Sequence, residues 1–111
     1  MIKRIAVLTR RPELSREEFA KHWREVHGEL AKCVPNMLRY VQNLVTEEVP
    51  HPHLPGGVSN IDGFAEIWFK DRETMEAALA TEEFKELYAD GPLFTATSVT
   101  FHVQEDVVID G

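Results

Sequence analysis

Residues 15–40 read SREEFAKHWREVHGELAKCVPNMLRY and predict an amphipathic helix that leads into a β-strand. Ser15 followed by Glu18 is the pattern of a capping box, in which each side chain satisfies an otherwise unpaired backbone N–H of the first turn. Apolar side chains then recur at steps of three and four residues, which gathers them on one helical face. The predicted buried stripe contains Phe19, Trp23, Val26, Leu30, Cys33 and Val34. Pro35 should end the helix, because proline lacks the backbone N–H that a further turn needs.

Two histidines, His22 and His27, lie on this helix. At about 3.6 residues per turn, five residues separate two side chains by roughly 140°, so the pair should flank the buried stripe on opposite sides and could not bind one metal ion. An imidazole at the edge of a buried face is partly desolvated, which can tune its pKa for proton transfer. The alternative is that both histidines are hydrogen-bonded structural residues.

Composition limits the possible functions. The chain has 111 residues, which predicts a single domain over residues 1–111 with a substantial core. The net charge is −7, from 12 basic and 19 acidic residues, and this balance argues against nucleic-acid binding. Cys33 is the single cysteine, so no internal disulfide is possible, and its place on the apolar stripe favours a buried hydrophobic role over a nucleophile. No stretch is apolar for long enough to cross a membrane, and we expect a soluble, cytoplasmic protein.

The remaining pattern predicts four strands and a second helical region. The strands are expected over residues 3–9, 38–45, 61–70 and 97–104. Asp71 should cap the second helical region, Thr81 should begin a further turn, and the sequence Asp90-Gly91-Pro92 should stop it. The order βαββαβ is the ferredoxin-like α+β pattern, in which two helices cover one face of a four-stranded antiparallel sheet.

Two segments fall outside this pattern. Residues 46–60 carry three prolines and two glycines and should form a long loop, which could be an active-site lid or a disordered excursion. His51 and His53 in this loop lack the carboxylate or cysteine partners of a metal site. Residues 105–111 form a tail that is apolar beyond the needs of a free terminus.

The strands alternate between two faces that are both largely apolar. Two helices can cover only one of them, so the other face needs a partner, and a homodimer that joins two sheets into an α/β barrel is the simplest cover. Val99 and Phe101 share one face of the last strand and Thr100 and His102 share the other, but the pattern leaves open which face meets the helices. Glu66 lies among aromatic residues and should be either paired with an arginine or shifted to a higher pKa for acid–base work.

The segment FAKHWREVHGELAKCVPNMLRYVQN resembles the EthD family, whose hallmark is an F-x-x-Y/H-W-x-x-x-H helix followed by a P-x-x-x-x-Y strand. The matching residues are Phe19, His22, Trp23, His27, Pro35 and Tyr40. The resemblance implies a dimeric α/β barrel beside methylmuconolactone isomerases, polyketide cyclases and cofactor-free monooxygenases, and the family name is associated with degradation of an alkyl ether. In the isomerase relatives a histidine late in the first helix and a tyrosine on the second strand belong to the pocket, which implies such roles for His27 and Tyr40. The additional cysteine of those isomerases has no counterpart on the third strand here.

These observations favour an enzyme that acts on a small apolar or aromatic molecule by lyase, isomerase or cofactor-independent oxygenase chemistry. His27 would move a proton, with Tyr40 stabilising an enolate-like oxygen and His22 as a further catalytic candidate. Trp68, Phe101 and His102 are the predicted substrate-binding residues, in a pocket between helices and sheet. No cofactor motif or metal cluster is visible. The alternative is a non-catalytic ligand-binding or accessory protein of a degradation pathway.

Overall fold

The structure is a computed structural model that describes residues 1–57 and 59–111. Four strands form one antiparallel sheet in the order β2-β3-β1-β4. The strands are β1 (Ile2–Arg10), β2 (Arg39–Leu44), β3 (Gly63–Phe69) and β4 (Thr95–Val103). Helices pack on one face of this sheet, which confirms the predicted ferredoxin-like α+β fold.

The first helical region contains a π-helical turn. It consists of α1 (Arg16–His22), the π turn (Trp23–His27) and α2 (Gly28–Lys32). The capping box of Ser15 and Glu18 is present at its start, as predicted. In the π turn the N–H of Gly28 donates to the carbonyl oxygen of Trp23, five residues earlier.

The π turn changes which side chains face the core. A π turn contains one more residue than an α-helical turn, so the next side chain after Trp23 on the core side of the helix is that of His27. This side chain is only 15% exposed. Val26, predicted to be buried, is 44% exposed. Cys33 is also exposed, so its predicted burial is wrong, whereas Val34 is buried as expected.

The second helical region has two α-helices and a short 3₁₀ turn. Asp71 caps α3 (Arg72–Leu79) and Thr81 caps α4 (Glu82–Asp90), as the sequence predicts. The 3₁₀ turn Gly91–Leu93 follows directly and leads through the buried Phe94 into β4.

The two faces of the sheet have different surroundings. The helix-covered face carries Ala6, Leu8, Tyr40, Ala65 and Ile67, which pack in the two core clusters. By strand alternation, Ile5, Val7, Trp68, Val99 and Phe101 point to the opposite, helix-free face.

The long connection and the tail lie outside the regular elements. Between residues 45 and 62, the part that the structure describes contains no helix or strand. In the tail, Glu105 accepts hydrogen bonds from Lys3 and from the indole of Trp68, at 2.8 and 3.2 Å. None of the helices in the described ranges is long and apolar enough to cross a membrane.

Candidate functional site

A cavity of about 380 Å³ lies between the helices and the sheet. Its floor is formed by β1, β3 and β4, where Ala6 and Ala65 are directly opposite each other in the strand register. Two small side chains at facing positions leave space that larger residues would fill. Trp23, His27 and Tyr40 also line this cavity. No described residue of the 46–60 loop lines it.

A buried carboxylate connects the two histidines. Asp90 is 6% exposed, and its oxygens lie 2.9 Å from Nε2 of His22 and 2.9 Å from Nδ1 of His27. The prediction that the histidines flank the helix on opposite sides is therefore wrong. The π turn is the reason, because residues five apart across such a turn return to the same side, as residues four apart do in an α-helix.

The contact with Asp90 fixes how His27 can act. A carboxylate accepts hydrogen bonds, so Nδ1 of His27 carries the ring proton and donates a hydrogen bond to Asp90. The lone pair of Nε2 is then free. Burial lowers the pKa of His27 below its usual 6.5, while Asp90 partly opposes this shift and the nearby His22 adds to it. His27 is thus held as a neutral base at neutral pH.

Asp90 was not predicted as a site residue. Its position in the sequence was nevertheless a signal. Asp90 lies in the last turn of α4, where the negative end of the helix dipole repels a carboxylate. A residue that is locally unfavourable there is a candidate for a tertiary role. Phe94, which follows the 3₁₀ turn, stacks on His22 with ring centroids 4.7 Å apart and packs against His27 at 5.0 Å. The segment after α4 therefore holds both imidazole rings.

Tyr40 contributes a protonated hydroxyl to the same cavity. Burial raises the pKa of Tyr40 above 10, and the hydrogen bond from Gln42 opposes this rise. Gln42 donates from Nε2 to the Tyr40 oxygen at 3.2 Å and to the Trp23 carbonyl at 2.8 Å. The indole N–H of Trp23 is buried and has no hydrogen-bond partner among the described residues. Proton donors thus gather around the Tyr40 oxygen, where a ligand oxygen would be stabilised.

The model of the EthD domain matches residues 11–98. The chain belongs to the EthD family.

Relatives of this EthD chain cover nearly its full length. A 4-carboxymethyl-4-methylbutenolide mutase of Pseudomonas reinekei is 26% identical over 106 residues, which is 95% of this chain and 98% of that one. The crystal structure of an EthD family protein of Bacillus halodurans superposes with a TM-score of 0.77 at 22% identity, covering 96% of this chain and 99% of that one. A dimeric ferredoxin-like protein of unknown function from Thermobifida fusca gives a TM-score of 0.68 at 13% identity, covering 92% and 88%.

The EthD chain does not bring all predicted site residues together. His27 and Tyr40 line the cavity, whereas His22 lies outside the lining and contacts Asp90 and the cavity residue Phe94. Trp68 and Phe101 lie on the helix-free face, so their prediction as walls of a pocket between helices and sheet is wrong. Alternation along each strand separates them from Ile67 and Thr100, which do face the cavity.

His102 and Glu66 have other partners. His102 lies on the cavity side of the sheet, outside the lining, with its Nε2 3.4 Å from a guanidinium nitrogen of Arg4. Glu66 is ion-paired with Lys3 at 2.7 Å, and this contact lowers the pKa of Glu66. Glu66 is thus ion-paired rather than raised in pKa, but its partner is a lysine and not the predicted arginine. Within residues 1–57 and 59–111, no group of three or more His, Cys, Asp or Glu side chains is arranged to hold a metal ion.

Proposed function

We propose that this EthD-family chain is an enzyme that transfers a proton within a small, largely apolar organic molecule without a cofactor. One observation carries the proposal: His27 and Tyr40 face one cavity with pKa values displaced in opposite directions. The lowered pKa of His27 favours a neutral base, and the raised pKa of Tyr40 favours a neutral donor. Such opposed shifts are the usual sign of an acid–base pair in an active site.

The proposed reaction is an isomerisation through an enolate. Nε2 of His27 takes a proton from a carbon next to a carbonyl group, and the electron pair of the broken C–H bond moves onto the carbonyl oxygen. Tyr40 and the free indole N–H of Trp23 donate hydrogen bonds to that oxygen. The protonated His27 then returns the proton to another carbon of the same molecule, so no oxidant or reductant is consumed. Asp90 stabilises the imidazolium between the two steps.

His22 has a positioning role in this scheme. Its ring contacts the same carboxylate as His27, at 2.9 and 3.1 Å from the two Asp90 oxygens, and stacks on Phe94. A carboxylate held from two sides keeps a fixed orientation, and this orients the His27 ring. We therefore assign proton transfer to His27 and orientation of Asp90 to His22.

The mutase relative supports the reaction class and suggests the first substrates to test. Its name describes rearrangement of a butenolide, an unsaturated lactone in which a carbonyl group activates neighbouring carbons. A lactone of this size contains the small ring and the carbonyl oxygen that the cavity would accommodate.

Hydrogen–deuterium exchange tests the proposal directly. Unsaturated lactones would be incubated in D₂O with the wild-type protein, with His27→Gln and with Tyr40→Phe, and deuterium in the recovered compound measured by mass spectrometry. We expect exchange with the wild type, a loss of about a hundredfold or more with His27→Gln, and a smaller loss with Tyr40→Phe. Equal exchange in all three proteins would remove both residues from catalysis. Tight binding with no exchange in any of them would favour the ligand-binding role.

We also propose that the chain forms a homodimer through the helix-free face of the sheet. Val99 and Phe101 on this face are 53% and 50% exposed in the single chain, and Ile5, Val7 and Phe64 on the same face are half-buried. A contiguous apolar surface of this kind is the usual sign of an interface. The tail residues Val107, Val108 and Ile109 are also exposed, and Glu105 of the same tail contacts Trp68 on this face, so the tail would add contacts with the second subunit. The Thermobifida protein described as dimeric has the same fold.

A further inference from the structure

Arg4 places a positive charge in the otherwise largely apolar cavity. It is half-buried on the floor of the cavity, beside Ile67. Burial lowers the pKa of Arg4 from its ordinary value, but a guanidinium remains charged at neutral pH.

This charge has no acidic partner in the described part of the chain. The ion pairs of the protein include Lys3, Arg10, Arg11, Arg24, Lys32 and Lys85, but not Arg4. The contrast with Lys3 is informative, because this neighbour on the other face contacts both Glu66 and Glu105. A guanidinium nitrogen of Arg4 lies 3.4 Å from Nε2 of His102, and an imidazole ring carries no negative charge that could neutralise a cation. A half-buried charge without a counter-ion is costly, and a bound anion would remove this cost.

The strand register relates Arg4 to the proposed catalytic groups. Tyr40 pairs with Ile67, Ile67 with Arg4 and Arg4 with His102, so these residues form one row across β2, β3, β1 and β4. Because neighbouring strands lie about 4.8 Å apart, the backbones of Tyr40 and Arg4 are roughly 10 Å apart on the same face. A molecule held between both side chains is therefore small, of the size of one ring with a short substituent.

We propose that the cavity selects small organic acids, and that Arg4 binds their carboxylate while the carbonyl end of the molecule faces Tyr40. This inference rests on the proposed function, because it names the substrate class of the same site. A guanidinium is suited to this role, since its parallel N–H groups match the two oxygens of a carboxylate. His102 would orient the guanidinium from the outer side of the row.

A binding experiment tests this assignment without requiring turnover. Phenylacetate and benzoate would be titrated into the protein by calorimetry, next to their uncharged methyl esters. We expect the wild type to bind each acid about tenfold or more tightly than its ester, because only the acid forms a charge-assisted bond with Arg4. In Arg4→Gln this preference should disappear, and in Arg4→Lys a part of it should remain. Arg24→Gln, at an exposed position on the first helix, is the control for a general effect of charge and should bind as the wild type does.

The results separate this inference from the proposed function. Equal binding of acid and ester by the wild type, unchanged acid binding by Arg4→Gln, or no binding of either acid would overturn the assignment of Arg4. If the acids bind through Arg4 but unsaturated lactone acids show no deuterium exchange, the carboxylate site stands and the proposed catalysis fails. If neutral lactones exchange equally well in wild type and Arg4→Gln and no acid is preferred, proton transfer stands and the carboxylate site fails.

Discussion

Gly63 and Trp23 are in direct contact at the edge of the cavity: a Cβ atom added to Gly63 would lie 2.6 Å from Cζ3 of the indole ring. The ring is buried and cannot move away easily, since Trp23 is only 2% exposed and packs against Phe19. The absence of a side chain at position 63 therefore sets the position of the indole that forms one wall of the cavity.

Gly63→Ala should consequently destabilise the protein. The added methyl group overpacks a buried ring, which typically costs about 1–3 kcal/mol of unfolding free energy. Urea unfolding followed by tryptophan fluorescence measures this change. Gly56→Ala is the matched control, because no atom lies within 4 Å of the new Cβ, and it should alter stability by less than about 0.5 kcal/mol. Equal stabilities of the two variants would contradict the contact.

The His22–Asp90–His27 cluster predicts opposite pKa shifts from two substitutions. Asp90 raises the pKa of His27 through its hydrogen bond and its charge, whereas His22 lowers it. Asp90→Asn should therefore lower the pKa of His27 further, and His22→Gln should raise it. Both values can be followed by NMR titration of the ring nitrogens, which also reports the protonated atom. If both substitutions moved the pKa of His27 in the same direction, Asp90 and His22 would not control that pKa in the way proposed.

The lowered pKa of His27 also predicts how stability depends on pH. The unfolded chain takes up a proton at this residue near pH 6.5, whereas the folded protein does so only at a lower pH. The contribution of His27 to the free energy of unfolding is thus fully present above pH 6.5. It is lost as the pH falls from 6.5 toward the lower pKa of His27 in the folded protein. Denaturant unfolding at about pH 7.5 and about pH 5.5 measures the difference. His27→Gln is the comparison, and its stability should fall less over this interval, because glutamine does not titrate.

Local signals in the sequence predicted much of the fold correctly. Ser15, Asp71 and Thr81 cap their helices through side-chain hydrogen bonds to backbone groups within three residues. The start of each helix can therefore be predicted from three or four consecutive residues. The strand alternation was also read correctly, because it depends only on a period of two. It could not show which face meets the helices. That choice depends on long-range fit, such as Gly63 beneath Trp23.

The π turn shows what the sequence could not provide. The Trp23 carbonyl accepts hydrogen bonds from Gly28, five residues later, and from Gln42 on β2. Since one of these contacts comes from another element, the local periodicity of the helix does not reveal the turn. The burial of Val26 and the separation of the histidines were therefore predicted for a regular α-helix. The same turn brings His22 and His27 onto one carboxylate, and π-helical turns often occur at functional sites.

The helix-free face of the sheet gives the last prediction, which concerns assembly. Phe101 points to this face, while the adjacent Thr100 lines the cavity on the other side. If the face is the interface of a homodimer, Phe101→Asp places a charge in an apolar contact with no partner and should yield a folded monomer. Thr100→Asp is the matched control, because the same charge one residue away is exposed outside the interface and should leave the dimer intact.

Sedimentation velocity of the three proteins at micromolar concentration distinguishes the cases, with circular dichroism to check that each is folded. Burial of apolar surface contributes about 25 cal/mol per Å², so a dimer interface of standard size should persist at this concentration. Loss of the dimer in both variants would point to a general effect of charge rather than to this face. A wild-type protein that sediments as a monomer would contradict the dimer itself, because the exposed Phe101 and Val99 would then have no subunit to cover them.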